Sequence, residues 1–187
     1  MGSVPLTPSQ TAGPYLSIGL AWADGSCVVE PSDPAALWLR GRVFDGAGEV
    51  VLDALVETWQ ADQDGGFAHP DAPASQPDPT RYFRGFGRSL TGEGEYAICT
   101  LKPGSVPATD GAVQAPHIDV SVFARGLLDR VVTRVYFADE PVANAQDPVL
   151  SALPAERART LVAARSPDGY LFDIVLQGPD ETIFFAV

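Results

Sequence analysis

The chain has 187 residues, of which 45% are hydrophobic, and a formal net charge of −12 at pH 7. This length suits one domain whose core is large enough to be stable without disulfides. The acidity indicates a solubilising surface and argues against nucleic acid or an anionic membrane as a partner. No run approaches the roughly 20 apolar residues that span a bilayer.

Features that report on the cellular compartment predict a cytoplasmic protein. The two cysteines, Cys27 and Cys99, have neither CxxC spacing nor the density of a secreted disulfide scaffold, which indicates a reducing environment. The start, MGSVPLTPSQ, has no basic region and no long apolar run, so no signal peptide is expected.

The first 36 residues predict an irregular N-terminal arm. They contain five prolines and almost no hydrophobic periodicity. Within them, residues 7–15 (TPSQTAGPY) have the Pro and Gly content of an extended loop with exposed backbone donors. Two interpretations follow: a disordered terminus, or an arm that docks against a neighbour and lends its backbone to a site.

From residue 37 onward the pattern predicts mostly short strands and tight turns. Alternating and β-branched runs place these strands at 37–44, 50–59, 96–101, 117–124, 131–137, 170–177 and 182–186. Residues 68–81 hold four prolines and predict an exposed loop. Many short strands at this spacing are typical of an antiparallel β-sandwich.

The helical signal lies late in the chain. Asp147 before Pro148 predicts an N-cap followed by proline at the first helical position. Pro154 splits this region, so a second short helix runs to about Ala164. We therefore expect an all-β fold, an antiparallel β-sandwich with an irregular N-terminal arm and one or two short helices near 148–164. We expect one domain over 1–187, with the arm at 1–36 and the sandwich core at 37–187.

Residues 117–122 place an imidazole and a carboxylate on one face of a predicted strand. His117, Asp119 and Ser121 point one way, and the intervening apolar residues point the other. The plain interpretation is a core histidine hydrogen-bonded to a neighbour such as Asp119. A two-histidine, one-carboxylate metal site would need His69, the only other histidine. A vestigial pocket for water or a small anion is the remaining alternative, because no nucleophile elbow supports a triad through Ser121.

Arg125 follows the same predicted strand, in the sequence FARG. A guanidinium is always charged, and its planar fork matches a carboxylate. A surface ion pair with one of the 24 acidic residues is the plain interpretation, and a site for an anionic ligand is the alternative.

Five segments spread along the chain resemble intradiol ring-cleaving dioxygenases. They are TPSQTAGPY, LRGRVFDGAGEVVLDALVETWQADQDGGF, GFGRSLTGEGEYAICTLKPG, APHIDVSVFARG and FDIVLQGPDETIFF. The resemblance runs from about residue 7 to 185. It implies a β-sandwich and, in the active chain of the family, a ferric ion held by two tyrosines and two histidines.

Measured against that ligand set, the resemblance implies that this chain lacks most of the iron ligands. Val106 stands where a tyrosine follows KPG, and His117-Ile118-Asp119 stands where the family has His-x-His. The loop around 74–78, which would supply the other tyrosine, contains none. We expect no catalytic metal here, with Fe(III) held instead by a homologous β subunit that carries the Tyr/Tyr/His/His site.

The resemblance also implies a role for the arm at that partner's iron. Carried over, Thr11, Gly13, Pro14 and Arg125 line the substrate cleft, with Arg125 acting in catalysis. The implied reaction cleaves protocatechuate with O2 to 3-carboxy-cis,cis-muconate, in an (αβ)n hetero-oligomer. A mean hydropathy of +0.05 fits a large interface with such a partner. The alternative from another class is a non-catalytic, transthyretin-like binding or carrier module.

Overall fold

A computed structural model describes residues 8–11, 13–67, 82–108 and 111–186. Within these ranges, short strands and a few short helices alternate with turns. The strands are β1 (Leu37–Gly41), β2 (Val43–Phe44), β3 (Leu55–Gln60), β4 (Phe86–Leu90), β5 (Tyr96–Thr100), β6 (Val106–Pro107), β7 (Val113–Gln114), β8 (His117–Phe123), β9 (Val131–Phe137), β10 (Val162–Ser166), β11 (Gly169–Leu171) and β12 (Ile174–Val175). The helices are α1 (Gly13–Leu20), α2 (Pro141–Gln146), α3 (Pro148–Ser151) and α4 (Ala155–Ala158), the last followed by a 3-10 turn at Arg159–Leu161.

One eight-stranded sheet folds into the two layers of a sandwich. Its strand order is β4-β3-β8-β9-β10-β11-β1-β5. The strand β10 turns the corner between the layers, because Val162 and Ala163 pair with β9 whereas Ala164–Ser166 pair with β11. The predicted all-β sandwich is confirmed. The β9–β10 and β1–β11 joins are parallel, however, so the sheet is not antiparallel throughout.

The core lies between the two layers. Leu39 and Ile98 on β1 and β5 pack with Val56, Val120 and Val135 on β3, β8 and β9, and all five side chains are buried. Burying a side chain of this size stabilises the fold by about 1.5–3 kcal/mol. Alternate residues of β8 therefore face the core, which leaves His117, Asp119 and Ser121 on the opposite face as the sequence predicts.

The predicted cap of the late helix is confirmed. The Asp147 carboxylate accepts hydrogen bonds from the backbone amides of Val149 and Leu150, and Pro148 occupies the first turn of α3. The helical region nevertheless ends earlier than predicted. Residues 162–164 belong to β10 rather than to a helix, because pairing with β9 and β11 satisfies their backbone groups.

Several other elements differ from the sequence predictions. Within the segment predicted to be irregular, residues 13–20 form the helix α1, and Val28 and Val29 lie outside any strand but are buried in the core. The strands β4, β6, β7 and β10 were not predicted, and the predicted strand at 182–186 is a single bridge between Phe185 and Val132. No helix among the described residues combines the length and apolarity that crossing a membrane would require.

Candidate functional site

The helical region meets the start of β8 through Asp147, which contacts Ala115 and Tyr136 beside His117. His117 is buried, and its ring centroid lies 5.7 Å from that of Tyr136 on β9. Its Nδ1 lies 2.7 Å from the carbonyl oxygen of Ala115. Because a carbonyl oxygen can only accept, Nδ1 carries the proton. Burial, and secondarily the nearby Arg134 charge, lower the pKa of His117, so the ring is neutral at pH 7.

Asp119 is paired with an arginine rather than with His117, which corrects the hydrogen bond expected from the sequence. The Arg134 Nε donates to Asp119 Oδ1 over 2.8 Å, and its Nη1 donates to Gln114 Oε1 over 2.6 Å. Burial alone would lower the pKa of Arg134, but hydrogen bonds to Tyr136 and Asp119 and attraction to Asp119 raise it above its usual value. The ion pair is a cross-strand neighbour pair of β8 and β9.

Asp147 closes this cluster from the helical side. Its carboxylate is fully buried and accepts from the backbone amide of Ala115 at 2.8 Å and from the Tyr136 hydroxyl at 3.1 Å. These bonds add to the two that cap α3. Burial raises the pKa of Tyr136, so its hydroxyl stays protonated and remains a donor. The His117 face is therefore filled with paired polar groups.

The residues at the expected iron ligand positions do not fit a ferric ion. Val106 on β6 offers no ligand atom, and the Asp119 carboxylate already faces the fixed positive charge of Arg134. An added cation at this point would meet electrostatic repulsion. Among residues 8–11, 13–67, 82–108 and 111–186, no group of three or more His, Cys, Asp or Glu side chains is placed to share a metal ion. His69 and the 74–78 loop lie outside the described residues.

The arm meets the loop that follows β8. The backbone amide of Gly126 donates to the Thr11 hydroxyl oxygen over 2.9 Å, and the Ser9 hydroxyl donates to Asp129 Oδ1 over 3.1 Å. Gly13 opens α1 with a φ of +59°, a backbone conformation that favours glycine, and Pro14 is the next residue of the helix. Thr11 is thus brought beside Gly126, next to Arg125.

Arg125 projects from this loop into solvent, with 69% of its side chain exposed. Its Nε forms an ion pair with the Asp53 carboxylate in the turn before β3. Beside it, a cavity of about 270 Å³ lies between the arm and the loop. Its lining residues are Gln10, Leu16, Phe123, Ala124, Leu127, Leu128, Asp129 and Arg130.

The residues that sequence analysis missed contact partners that lie far from them in the sequence. Asp53, Arg134 and Asp147 form the ion pairs and hydrogen bonds of the two clusters, yet none lies within a motif that points to these partners. Asp147 was recognised only as a helix cap. Strand pairing of 117–123 with 131–137, once known, identifies Arg134 as the neighbour of Asp119.

Comparison with known proteins agrees with the fold. A profile of the dioxygenase family matches residues 29–178. The protocatechuate 3,4-dioxygenase alpha chain of Burkholderia cepacia is 44% identical, over the full length of both chains. The beta chain of the enzyme from the same organism is 38% identical, over 77% of this chain and 65% of its own length.

A solved structure gives the same assignment. The dioxygenase domain of a dioxygenase carbohydrate-binding protein fusion from Streptomyces sp. SirexAA-E superposes with a TM-score of 0.53 at 25% identity. The superposition covers 95% of this chain and 99% of that one. The profile match, the full-length identity and the shared sandwich lead to one conclusion: the chain belongs to the intradiol dioxygenase family.

Proposed function

We propose that this chain is the iron-free subunit of a two-chain intradiol dioxygenase that cleaves protocatechuate with O2 to 3-carboxy-cis,cis-muconate. The observation that carries the proposal is the Arg134–Asp119 ion pair, which puts a fixed cation where the family's active chain needs a second histidine ligand. The absence of a ligand atom at Val106 supports it independently. The substrate and the two-chain composition follow the names of the relatives.

The partner in this proposal is a homologous β subunit that supplies Fe(III) through two tyrosines and two histidines. The 38% identity with a beta chain supports a partner of the same fold. The two subunits form a hetero-oligomer, (αβ)n, in the cytoplasm. We take residues 1–187 as one domain, since strands from both halves of the chain share one sheet.

The contribution of this chain is a wall of the substrate cleft beside the partner's iron. Thr11 holds the Gly126 amide, which fixes the arm against the loop that carries Arg125. Gly13 has no side chain to obstruct an aromatic ring, and Pro14 follows it at the start of α1. Arg125 offers an exposed guanidinium to the substrate carboxylate.

Iron analysis of the separate and assembled chains tests the proposal. We expect the purified chain to hold essentially no iron and to lack ring-cleaving activity. Co-expressed with a β homologue, it should form a complex with close to one iron per αβ pair that consumes protocatechuate and O2. One iron per chain in the isolated protein, or turnover without the partner, contradicts the proposal.

A further inference from the structure

We infer that Asp53 is a positioning residue for Arg125, holding the guanidinium by its Nε edge so that its outer fork is presented to an anionic substrate. The inference rests on the proposed function of Arg125 and adds a residue that neither the sequence motifs nor the resemblance pointed to. Asp53 lies 72 positions earlier in the sequence.

The register of the sheet brings the two residues together. In the antiparallel pair of β3 and β8, Leu55 lies opposite Phe123. Asp53 lies two residues before β3 begins and Arg125 two residues after β8 ends, so this pairing brings the turn and the loop that carry them to the same end of the sheet. Cross-strand neighbours on one face are close enough for their side chains to meet, and the carboxylate of Asp53 forms its ion pair with Arg125 there.

The turn that carries Asp53 is fixed by a buried threonine. The Thr91 hydroxyl donates to the carbonyl oxygen of Val51 over 2.6 Å and accepts from the backbone amide of Ala54 over 2.9 Å. The Thr91 amide in turn donates to the Ala54 carbonyl. Asp53 therefore stands on a rigid base, with only 28% of its side chain exposed, whereas Arg125 is 69% exposed. Asp53 is thus the more buried member of the pair, on a hydrogen-bonded turn, and Arg125 is the more exposed one.

The atom that Asp53 contacts decides between positioning and competition. A guanidinium has five N–H hydrogens, of which Nε carries one and the Nη1/Nη2 fork carries four. A carboxylate on the fork would compete with an incoming substrate anion. The closest approach of Asp53 is to Nε, at the inner edge of the guanidinium, so a substrate carboxylate can approach from the outer, Nη side. Loss of Asp53 should then weaken substrate binding rather than strengthen it.

The test measures the assembled αβ enzyme carrying Asp53→Asn or Asp53→Ala on two substrates, protocatechuate and unsubstituted catechol. We expect KM for protocatechuate to rise about two- to fivefold with kcat nearly unchanged, the size typical of one exposed ion pair. Catechol has no carboxylate, so its KM should not change. In an Arg125→Ala background, Asp53→Asn should have no further effect.

A matched control removes the same kind of contact elsewhere. Asp168, in the turn between β10 and β11, also pairs with the Nε of an arginine, Arg40, at 3.3 Å. Asp168→Asn should leave both KM values unchanged. Any of four results would overturn the inference. On loss of Asp53 these are a fall in KM for protocatechuate, an equal change in KM for both substrates, or no change in either. The fourth is full additivity of Asp53→Asn with Arg125→Ala. If Arg125→Ala itself leaves kinetics unchanged, the proposed role of Arg125 fails instead.

Discussion

The guanidinium of Arg134 donates a 2.8 Å hydrogen bond to the carboxylate of Asp119, its cross-strand neighbour on β8. Both side chains are partly shielded from water, and Gln114 accepts a second hydrogen bond from the same arginine. At this strand position the negative charge of Asp119 is thus already balanced by a cation that lies beside it. A metal site requires the opposite arrangement, with an unpaired carboxylate and no cation nearby.

We expect Arg134→Met to lower stability because it removes both hydrogen bonds and leaves Asp119 without its counter-charge. The loss should be about 1–2 kcal/mol, toward the lower end of what a hydrogen bond to a charged group contributes, because both side chains are partly exposed to water. Thermal unfolding of the αβ complex measures it as a fall of a few degrees in Tm.

The control is Arg165→Met, which breaks an ion pair with Asp139 whose arginine is largely exposed. Exposed pairs contribute little to stability, so its Tm should hardly change. Equal falls in Tm for the two variants would show that the Arg134–Asp119 pair contributes no more to stability than an exposed ion pair.

A second prediction concerns pH. Burial lowers the pKa of His117 in the folded chain, so the unfolded chain binds a proton that the folded chain does not. Stability must then fall as pH drops below the unfolded value of about 6.5, by up to about 1.4 kcal/mol per pH unit. His117→Asn keeps an N–H toward the Ala115 carbonyl and removes the titration, so its Tm should vary less with pH between about 5 and 7.

The slope difference between the wild-type chain and His117→Asn is the quantity to measure, because other groups titrate in both. Asp139, for instance, has a lowered pKa in the folded chain, so the stability that its ionised carboxylate contributes is lost only at more acidic pH, and equally in both proteins. Parallel curves for the two proteins would mean that His117 does not titrate differently in the folded state.

Local patterns predicted the strand face of His117 and the cap at Asp147, since both depend on residues adjacent in sequence. They could not identify Arg134 as the partner of Asp119, which depends on the register of β8 and β9. Nor could they identify Asp53 as the partner of Arg125, because that pair joins the turn before β3 to the loop after β8. The helix α1 was missed for a related reason. Its Gly and Pro residues signal a turn, and contacts made across the fold, such as that of Arg88 with the Leu20 carbonyl, hold the helix in place.

A third prediction concerns the arm. Thr11→Val keeps the shape of the side chain but removes the oxygen that accepts from Gly126. If the arm walls the cleft, kcat/KM of the αβ complex should fall about two- to fivefold, the worth of one net hydrogen bond. Thr11→Ser retains the hydroxyl and should restore the wild-type value. Loss of activity in both variants would show that the hydroxyl, which Ser retains, does not account for the effect.

A fourth prediction concerns assembly. Tyr15 and Ile18 on α1 are 83% and 73% exposed, which leaves an apolar stripe on the outer face of the helix. Such a stripe suits an interface better than a free surface. We expect the chain alone to self-associate and Ile18→Asp to weaken binding to the β subunit at least tenfold, as for an interface hot spot.

Val142 on α2 supplies the control, because it is equally apolar and 71% exposed. Val142→Asp should leave the Kd of the αβ complex unchanged. A Kd that responds to Val142→Asp and not to Ile18→Asp would move the interface to the α2 side of the molecule.

The last prediction concerns Arg125 itself. Protocatechuate carries a carboxylate, and a charge-assisted hydrogen bond is worth about 1.5–3 kcal/mol. Arg125→Ala should therefore reduce kcat/KM of the αβ complex roughly ten- to a hundredfold. Arg125→Lys should recover only part of the loss, because an ammonium keeps the charge but cannot reproduce the two-point contact of the fork.

The interpretation depends on the variant complex being intact, so its iron content and oligomer size must match the wild type before rates are compared. The Arg125→Lys variant needs a further comparison, because its ammonium can pair with Asp53 and then has no second edge with which to bind the substrate carboxylate. Removing Asp53 in the Arg125→Lys background should then improve catalysis, whereas in the wild type it should weaken it. If an intact Arg125→Ala complex has the wild-type kcat and KM, Arg125 does not bind the substrate and only forms a surface ion pair with Asp53.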